Sequence, residues 1–135
     1  MIDIKWDQKF SVGHERIDHE HQVFLDLIRN VSRFVERPED GRRDRVLRLL
    51  QEIRKYADFH FYSEENLMLD CAYPDYAEHR EQHAQLLSSL DDRIHDFRAD
   101  RVTLSDLVEF LFQWFALHTT TVDKRLAKYL AREGA

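Results

Sequence analysis

Residues that break helices or cross-link chains are scarce in this sequence. Its 135 residues include one cysteine, three glycines and two prolines. The lone cysteine, Cys71, excludes an internal disulfide and favours a reducing compartment. So few glycines and prolines favour long helices over strands joined by tight turns.

Long hydrophobic runs and an excess of basic charge are missing too. No stretch is long enough to span a membrane, and the opening residues, MIDIKWDQKF, lack the apolar centre of a signal peptide. We therefore expect a cytoplasmic protein with no membrane partner. The formal net charge of −6 argues against a nucleic acid partner. At this length we expect one domain, residues 1–135, with its own core, and a monomer.

What the sequence does contain is the pattern of four long amphipathic helices. Their predicted bounds are about 16–37, 44–69, 75–97 and 104–132, separated by RPEDGRRD (37–44), DCAYPD (70–75) and RADRVTLSD (98–106). Thr103 and Asp106 have the spacing of a capping signal for the last helix, and residues 1–15 form an irregular N-terminal arm. Because the connections are short, neighbouring helices run antiparallel, which predicts an all-α, up-down-up-down four-helix bundle.

Each helix carries an apolar seam at alternating steps of three and four residues, and each seam is interrupted. The interrupting residues are His21 in the first helix, His60 and Glu64 in the second, His79 and His83 in the third, and His118 in the fourth. Because the chain reverses direction at each connection, these six residues are expected to lie toward the same end of the bundle. A buried carboxylate such as Glu64 is costly unless a cation compensates it, and the seams supply no lysine or arginine.

The fourth helix adds a second carboxylate, Asp123, five residues after His118. In a regular α-helix this spacing turns the two residues about 140° apart. They share one face only if a π-bulge intervenes. Three successive threonines, residues 119–121, favour such an irregularity because their hydroxyls can hydrogen-bond to the preceding turn.

Five imidazoles and two carboxylates are more ligands than one ion uses. Imidazole binds zinc, copper, iron and nickel, and a carboxylate can bridge two ions, so this set suits two metals that share Glu64 and Asp123. Two Fe(II) ions with both carboxylates and a hydroxide bridge carry a net charge of about +1. Two Fe(III) ions with an oxo bridge and a bound hydroperoxide carry the same charge, which favours reversible dioxygen binding in a buried site. A structural zinc site is disfavoured because it uses four ligands, often cysteine.

Sequence motifs spread over almost the whole chain point to one family. They are FSVG after Trp6, IDHEH (17–21), HFYSEE (60–65), YPDYAEHREQH (73–83) and HTTTVD (118–123). With these motifs the chain resembles the bacterial hemerythrins. The resemblance implies two iron ions joined by an oxo or hydroxo bridge. It also implies the ligands: His79, His83 and His118 on one saturated iron, His21 and His60 on the iron with an open position for O2, and Glu64 and Asp123 as bridges.

Candidates for the apolar wall of an O2 pocket are Phe24, Phe61, Trp114 and Phe115, the last three also by family position. The chain departs from the family at Thr119, where similar members commonly carry an apolar residue, often isoleucine. Thr121 is polar as well. If these threonines face the cavity, we expect them to admit water or protons and to hasten the release of peroxide.

The predicted function is reversible O2 binding for carriage, storage or delivery, without catalysis beyond weak peroxidase or oxidase side activity. Two alternatives stay open: a sensor of O2 or redox state acting on a separate partner, and a di-iron oxidase or a scavenger of peroxide or nitric oxide. A redox or O2-consuming protein is the expected partner. We predict no ligand role for His14, His19 and His95, and either solvation or hydrogen bonds to metal-bound histidines for Asp18, Glu65 and Glu78.

Overall fold

The computed structural model describes residues 4–36 and 41–133. The regular secondary structure of these residues is entirely helical. The helices are α1 (Glu15–Glu36), α2 (Arg43–Asp70), α3 (Tyr76–Arg98), α4 (Leu104–His118) and α5 (Lys124–Arg132), with a π-helical segment, Thr119–Asp123, between the last two. Because no break separates them, α4, the π-helical segment and α5 form the fourth long rod of the bundle. A single 3₁₀ turn, Gln8–Phe10, precedes α1. No helix in this part of the chain combines the length and apolar composition that a membrane span requires.

The four rods form a closed ring. α1 packs against α2 and α4, and α3 packs against the same two neighbours. The predicted all-α four-helix bundle is therefore confirmed. The predicted end of the first helix, residue 37, and the first half of the connection at 37–44 lie outside the described residues, as do residues 1–3 and 134–135.

Short turns with left-handed residues end α2 and α3. Ala72 has φ of 53° and the N–H of Tyr73 donates to the carbonyl of Met68 at 2.9 Å. At the end of α3 an aspartate, Asp100, has φ of 60° in the same role. Such turns satisfy the last carbonyls of a helix and reverse the chain quickly. The first of them places the buried Tyr73 ring 6.4 Å from the ring of His79, at the start of the next helix.

The start of α4 is fixed by its cap. The hydroxyl of Thr103 accepts from the N–H of Asp106 at 3.1 Å, and the N–H of Thr103 donates to the Asp106 carboxylate at 3.4 Å. This reciprocal pair is the capping box that the sequence predicts, and it is confirmed.

The N-terminal arm lies against α1 and α4. Phe10 is buried, with its ring edge-on to Phe115 at 5.2 Å. The carboxylate of Asp18 accepts from the N–H of Val12 at 2.8 Å, and Arg29 donates to the carbonyl of Ile4 at 2.7 Å. Residues 4–14 of the arm are irregular apart from the 3₁₀ turn, and these contacts place them directly behind Phe115.

Two apolar clusters fill the bundle. The histidines and carboxylates predicted to bind metal lie between these clusters. The larger cluster includes Leu50, Leu90 and Leu111. The smaller one comprises Ile17, Met68, Tyr73, Leu126 and Leu130. Strict alternation of four- and three-residue steps predicts that the seam of α2 continues from Glu64 to Leu67, but Met68 is the buried residue and Leu67 is half-buried. A helix drifts by about 20° per heptad, so a four-residue step replaces the three-residue one here.

Candidate metal centre

Seven predicted ligands meet in one layer of the bundle. They are His21 from α1, His60 and Glu64 from α2, His79 and His83 from α3, His118 at the end of α4 and Asp123 at the end of the π-helical segment. None is more than 5% exposed. So much buried polarity from four separate rods requires a compensating partner, because buried charged groups are costly when unpaired.

The π-helical segment is what brings Asp123 into this layer. It covers Thr119–Asp123, so the predicted irregularity is confirmed. Since a π-helix closes its hydrogen bonds at i→i+5, residues five apart can share one side. The hydroxyls of Thr120 and Thr121 donate to the carbonyls of Ala116 and Leu117, each at 2.7 Å, and so satisfy carbonyls at the end of α4.

The Glu64 carboxylate points one oxygen to each side of the layer. Oε1 lies 3.2 Å from Nε2 of His79 and 3.1 Å from Nε2 of His83. Oε2 lies 3.2 Å from Nε2 of His60 and 3.6 Å from Nε2 of His21. One carboxylate thus faces two separate groups of imidazoles.

Asp123 repeats this arrangement from the opposite rod. Its Oδ1 lies 3.2 Å from Nε2 of both His79 and His118. Its Oδ2 lies 3.0 Å from Nε2 of His21. Taken together, the two carboxylates face three imidazoles on one side and two on the other.

These atoms form two groups that can each hold a cation. One consists of Glu64, His79, His83, His118 and Asp123, the other of His21, His60, Glu64 and Asp123, and within each group the ligand atoms lie within 4.8 Å of one another. Within the described part of the chain, the nine buried side-chain polar atoms that lack a hydrogen bond all belong to these residues. Buried polar groups are normally paired. Two cations sharing both carboxylates fit this donor set, and imidazole with carboxylate suits iron or zinc.

Electrostatics within the layer favour charged forms. Burial alone would lower the pKa of the His60 imidazole, but the charge of Glu64 and the hydrogen bond to Glu20 raise it to about 10. Burial is likewise outweighed at His79, where Asp123 and Glu64 raise the pKa to about 9. Burial would raise the pKa of the Glu64 carboxyl, but His60 and the other imidazoles hold it well below its usual range. The layer therefore attracts positive charge, as protons or as metal ions.

Two further carboxylates hold imidazoles from behind. Nδ1 of His60 donates to Oε1 of Glu20 at 2.7 Å, and Ser63 donates to the other oxygen of Glu20 at 2.9 Å. Nδ1 of His83 donates to Glu65 at 2.9 Å. Each bond leaves Nε2 free to face the centre, the usual arrangement around a metal-bound histidine.

Of the two roles predicted for Glu65, the hydrogen bond to a candidate ligand histidine is present. No role was predicted for Glu20, which makes the corresponding bond to His60. Glu20 could have been found from its position directly before His21, because neighbouring residues of a helix point about 100° apart around its axis. That rotation brings its side chain to α2, where it meets His60. Other acids and histidines lie elsewhere. Asp18 binds the N-terminal arm, Glu78, His19 and His95 are exposed, and Nδ1 of His14 accepts from the N–H of Ile17.

Aromatic rings enclose the imidazoles. Phe61 stacks on His83 at 4.0 Å and Trp114 stacks on His118 at 4.4 Å, measured between ring centroids. Phe115 lies edge-on to His21 at 5.5 Å. These rings exclude water from the layer and limit what can approach it.

The five side chains proposed for a pocket wall line a single small cavity of about 10 Å³, the volume open to the centre of a water molecule. They are Phe24, Phe61, Trp114, Phe115 and Thr119, and His21, His60, His118 and Asp123 complete the lining. This space admits about one water-sized molecule. Thr121 does not line it, because that residue lies on the exposed side of the π-helical segment.

Known proteins match this chain over most of its length and in its fold. The family profile described as the hemerythrin HHE cation binding domain matches residues 12–130. The bacteriohemerythrin of Clostridium acetobutylicum is 20% identical over 123 residues, 88% of this chain and 95% of that protein. That of Methylococcus capsulatus is 28% identical over 108 residues, 79% of this chain and 80% of that protein. A crystal structure of wild-type hemerythrin matches the fold with a TM-score of 0.84 at 24% identity, covering 96% of this chain and 98% of that one.

Proposed function

The chain belongs to the hemerythrin family of HHE cation-binding domains, and on that premise we propose that it binds dioxygen reversibly at a pair of iron ions. His79, His83 and His118 would hold one iron, His21 and His60 the other, and Glu64 and Asp123 both. The observation that carries the proposal is the division of the ligand atoms into two groups that share both carboxylates.

The two groups differ in the number of imidazoles, and this difference supports a role in ligand binding. The group with three imidazoles offers one more protein ligand than the group with two. An open coordination position is therefore expected at the iron of His21 and His60. Both of these histidines line the small cavity, whereas only His118 of the other three does. We infer that a guest in the cavity reaches the iron held by fewer ligands.

The protein's own residues would make binding reversible by controlling charge and water. When bound, the iron pair supplies the reversible electron transfer that O2 capture needs. Glu64 and Asp123 would offset the charge of the metals, and the hydrogen bonds from His60 to Glu20 and from His83 to Glu65 hold these two imidazole rings in place. The aromatic wall limits the guest to a small molecule and keeps bulk water out.

We propose binding without net turnover, in the service of O2 carriage, storage or delivery. Apart from the ligands themselves, the side chains lining the cavity include no acid or base that could shuttle protons repeatedly. Oxidised iron must be reduced again to bind O2. We therefore propose a reducing, cytoplasmic setting and a separate redox or O2-consuming partner protein.

An oxygenation cycle combined with metal analysis tests this function. We expect about two irons per chain by elemental analysis, a charge-transfer band when the reduced protein meets air, and loss of that band under vacuum. The matched variants His79→Ala and His95→Ala both remove an imidazole from α3, but only the first removes a proposed ligand. We expect His79→Ala to lose iron and His95→Ala to keep it. One metal per chain, or a band that vacuum cannot reverse, would contradict the proposal.

A further inference from the structure

A larger cavity lies at the other end of the bundle from the metal layer, between the last turns of α1 and the first turns of α2. About 430 Å³ of it is open to the centre of a water molecule. The residues that line it are Asn30, Arg33, Phe34, Arg42, Arg45 and Leu49. Along the helix axes it lies roughly 20 Å from the candidate metal ligands, at 1.5 Å per residue. None of those ligands lines it, so this cavity is separate from the proposed metal centre.

The charged side chains that line this cavity are all cations. Three of its six lining residues are arginines, and all three are exposed at the surface. The others are one amide and two half-buried apolar side chains. Among the described acids at these two helix ends, Glu36 lines a different cavity and Asp44 does not line this one. In a chain with a formal net charge of −6, a cavity with this lining attracts anions.

The arginines at the start of α2 differ in their contacts. Arg43 donates to the last two carbonyls of α3 at 2.8 and 2.9 Å and forms an ion pair with Asp100 at 3.1 Å. It therefore ties two helix ends together. Arg33 and Arg45, which face the cavity, form no hydrogen bond or ion pair with any described residue. The contacts of the described residues thus explain Arg43 but leave the two cavity arginines unexplained.

Arg45 also lies where a positive charge is unfavourable. The N-terminus of a helix carries a partial positive charge, which anions stabilise and cations do not. Arg45 is in the first turn of α2, and the N-cap residue, Arg42, forms no side-chain hydrogen bond that caps the helix. The guanidinium of Arg42 lies over the ring of Phe34, 5.7 Å from its centroid. Helix stability does not account for these cations, whereas an anion in the cavity would offset their charge.

We propose that this cavity, which we call the arginine cavity, binds a small organic phosphate that carries two or more negative charges. Guanidinium groups donate paired hydrogen bonds whose geometry matches phosphate oxygens. The volume lies in the range of pockets for small organic ligands, so there is room for more than a bare phosphate. Phe34 and Leu49 supply the apolar surface that the organic part contacts. The arginine cavity adds a second binding site to the proposed function and does not depend on it.

Calorimetric titration of the full chain with adenosine diphosphate tests this site. We expect saturable binding with a Kd below about 1 mM that weakens as salt is added. Arg33→Gln and Arg45→Gln each remove one guanidinium and should weaken binding about tenfold. Arg125→Gln is the matched control, because it removes an exposed arginine of α5, at the opposite end of the bundle. It changes the net charge equally, and its affinity should match that of the wild type.

A charge reversal separates ligand binding from a structural role. Arg45→Glu should abolish binding of adenosine diphosphate. It should also raise the thermal midpoint of the protein without ligand, because a carboxylate in the first turn of a helix is favourable. A fall in that midpoint would show that Arg45 stabilises the fold, and it would overturn the inference.

Two further probes distinguish the possible sources of the phosphate. Inorganic pyrophosphate lacks the organic part and should bind more weakly than adenosine diphosphate; equal affinities would overturn recognition of an organic ligand. Binding to vesicles of anionic phospholipid without binding of adenosine diphosphate would assign the arginines to a membrane surface instead. No saturable binding of adenosine diphosphate, or an equal loss in Arg125→Gln, would also overturn the inference. Iron content is measured separately, so none of these outcomes decides the proposed function.

Discussion

The two halves of the proposed metal centre are built from the same types of side chain but are enclosed differently. On the side of three imidazoles, Phe61 lies flat on His83, with 4° between the ring planes, and Trp114 lies flat on His118. On the side of two imidazoles, Phe115 meets His21 edge-on, and both imidazoles line the small cavity, which only His118 of the other three reaches. At the proposed centre, the packing of neighbouring rings would therefore act together with ligand count in deciding which half a guest reaches.

The supporting carboxylates differ between the halves as well. The Glu20 side chain behind His60 is 8% exposed, whereas the Glu65 side chain behind His83 is 19% exposed. Burial would raise the pKa of Glu20, but the hydrogen bond from His60 keeps it below its usual value. The half that faces the cavity therefore has the more deeply buried carboxylate support.

The largest effect on metal content and stability should come from removing a carboxylate that both halves share. Glu64→Ala takes an oxygen from each group and leaves buried imidazoles without their counter-charge. We expect this variant to lose both irons. Its free energy of unfolding should be lower than that of the iron-loaded wild type by at least about 3–5 kcal/mol. Elemental analysis and chemical denaturation measure these losses. Glu78→Ala, at an exposed position of α3, is the control and should keep its iron. Retention of one iron by Glu64→Ala would show that the halves are independent.

The next effect concerns the wall of the open half. Phe115→Ala removes a ring that is 2% exposed and contacts Phe10, Phe24 and His21. We expect a loss of about 3–5 kcal/mol in the free energy of unfolding, together with faster azide association with the oxidised, iron-loaded protein. Denaturation and stopped-flow absorbance provide the two measurements.

The control for the wall is an exposed ring. Phe59→Ala removes a side chain that is 55% exposed, and it should change stability by no more than about 0.5 kcal/mol. An unchanged azide association rate in Phe115→Ala would show that this wall does not limit access to the centre.

A smaller effect should separate the two supporting carboxylates. Glu20→Gln weakens the charge-assisted hydrogen bond to His60 and should lower iron affinity about 10–100-fold. Glu65→Gln should cost less, because solvent already reaches that side chain. Competition with a chelator measures both affinities. Equal losses would mean that burial does not distinguish the two halves in this respect.

The smallest effect is the change in the free energy of unfolding of the metal-free protein for each unit of pH. The folded-state pKa values of His60 and His79, about 10 and about 9, lie above the usual 6.5. Protonation of these imidazoles therefore stabilises the fold fully below pH 6.5, and the stabilisation is lost as pH rises through 9 to 10. The slope is at most about 1.4 kcal/mol per pH unit for each group. Denaturation of the chelated protein at pH 6 and at pH 10 measures it.

Iron should abolish that alkaline loss, because a metal-bound imidazole carries no proton on the ligating nitrogen. The iron-loaded protein should instead lose its metal at acid pH, as protons compete for the same nitrogens. If the metal-free protein were more stable at pH 10 than at pH 6, the proposed charge state of the layer would be wrong.

Much of the centre follows from local features of the sequence. Residue type and spacing within one helix place His60 with Glu64, and His79 with His83, on common faces, because an α-helix has a constant rotation per residue. The five-residue interval from His118 to Asp123, with threonines between, is also a local signal, and it predicts the π-helical segment that the structure contains. Local rules apply to these features because each depends only on neighbours within one or two turns.

Features that depend on two helices at once were decided only by tertiary structure. The hydrogen bond between His60 and Glu20 joins residues 40 apart in sequence. Met68 rather than Leu67 enters the core, and Thr119 rather than Thr121 lines the cavity. Each outcome depends on a few tens of degrees of helix rotation, which interhelical packing sets. The sequence by itself therefore determined which candidate ligands this protein offers and that they lie at one level of the bundle. Packing between the rods decided which side chains support them, and which half stays open to a guest.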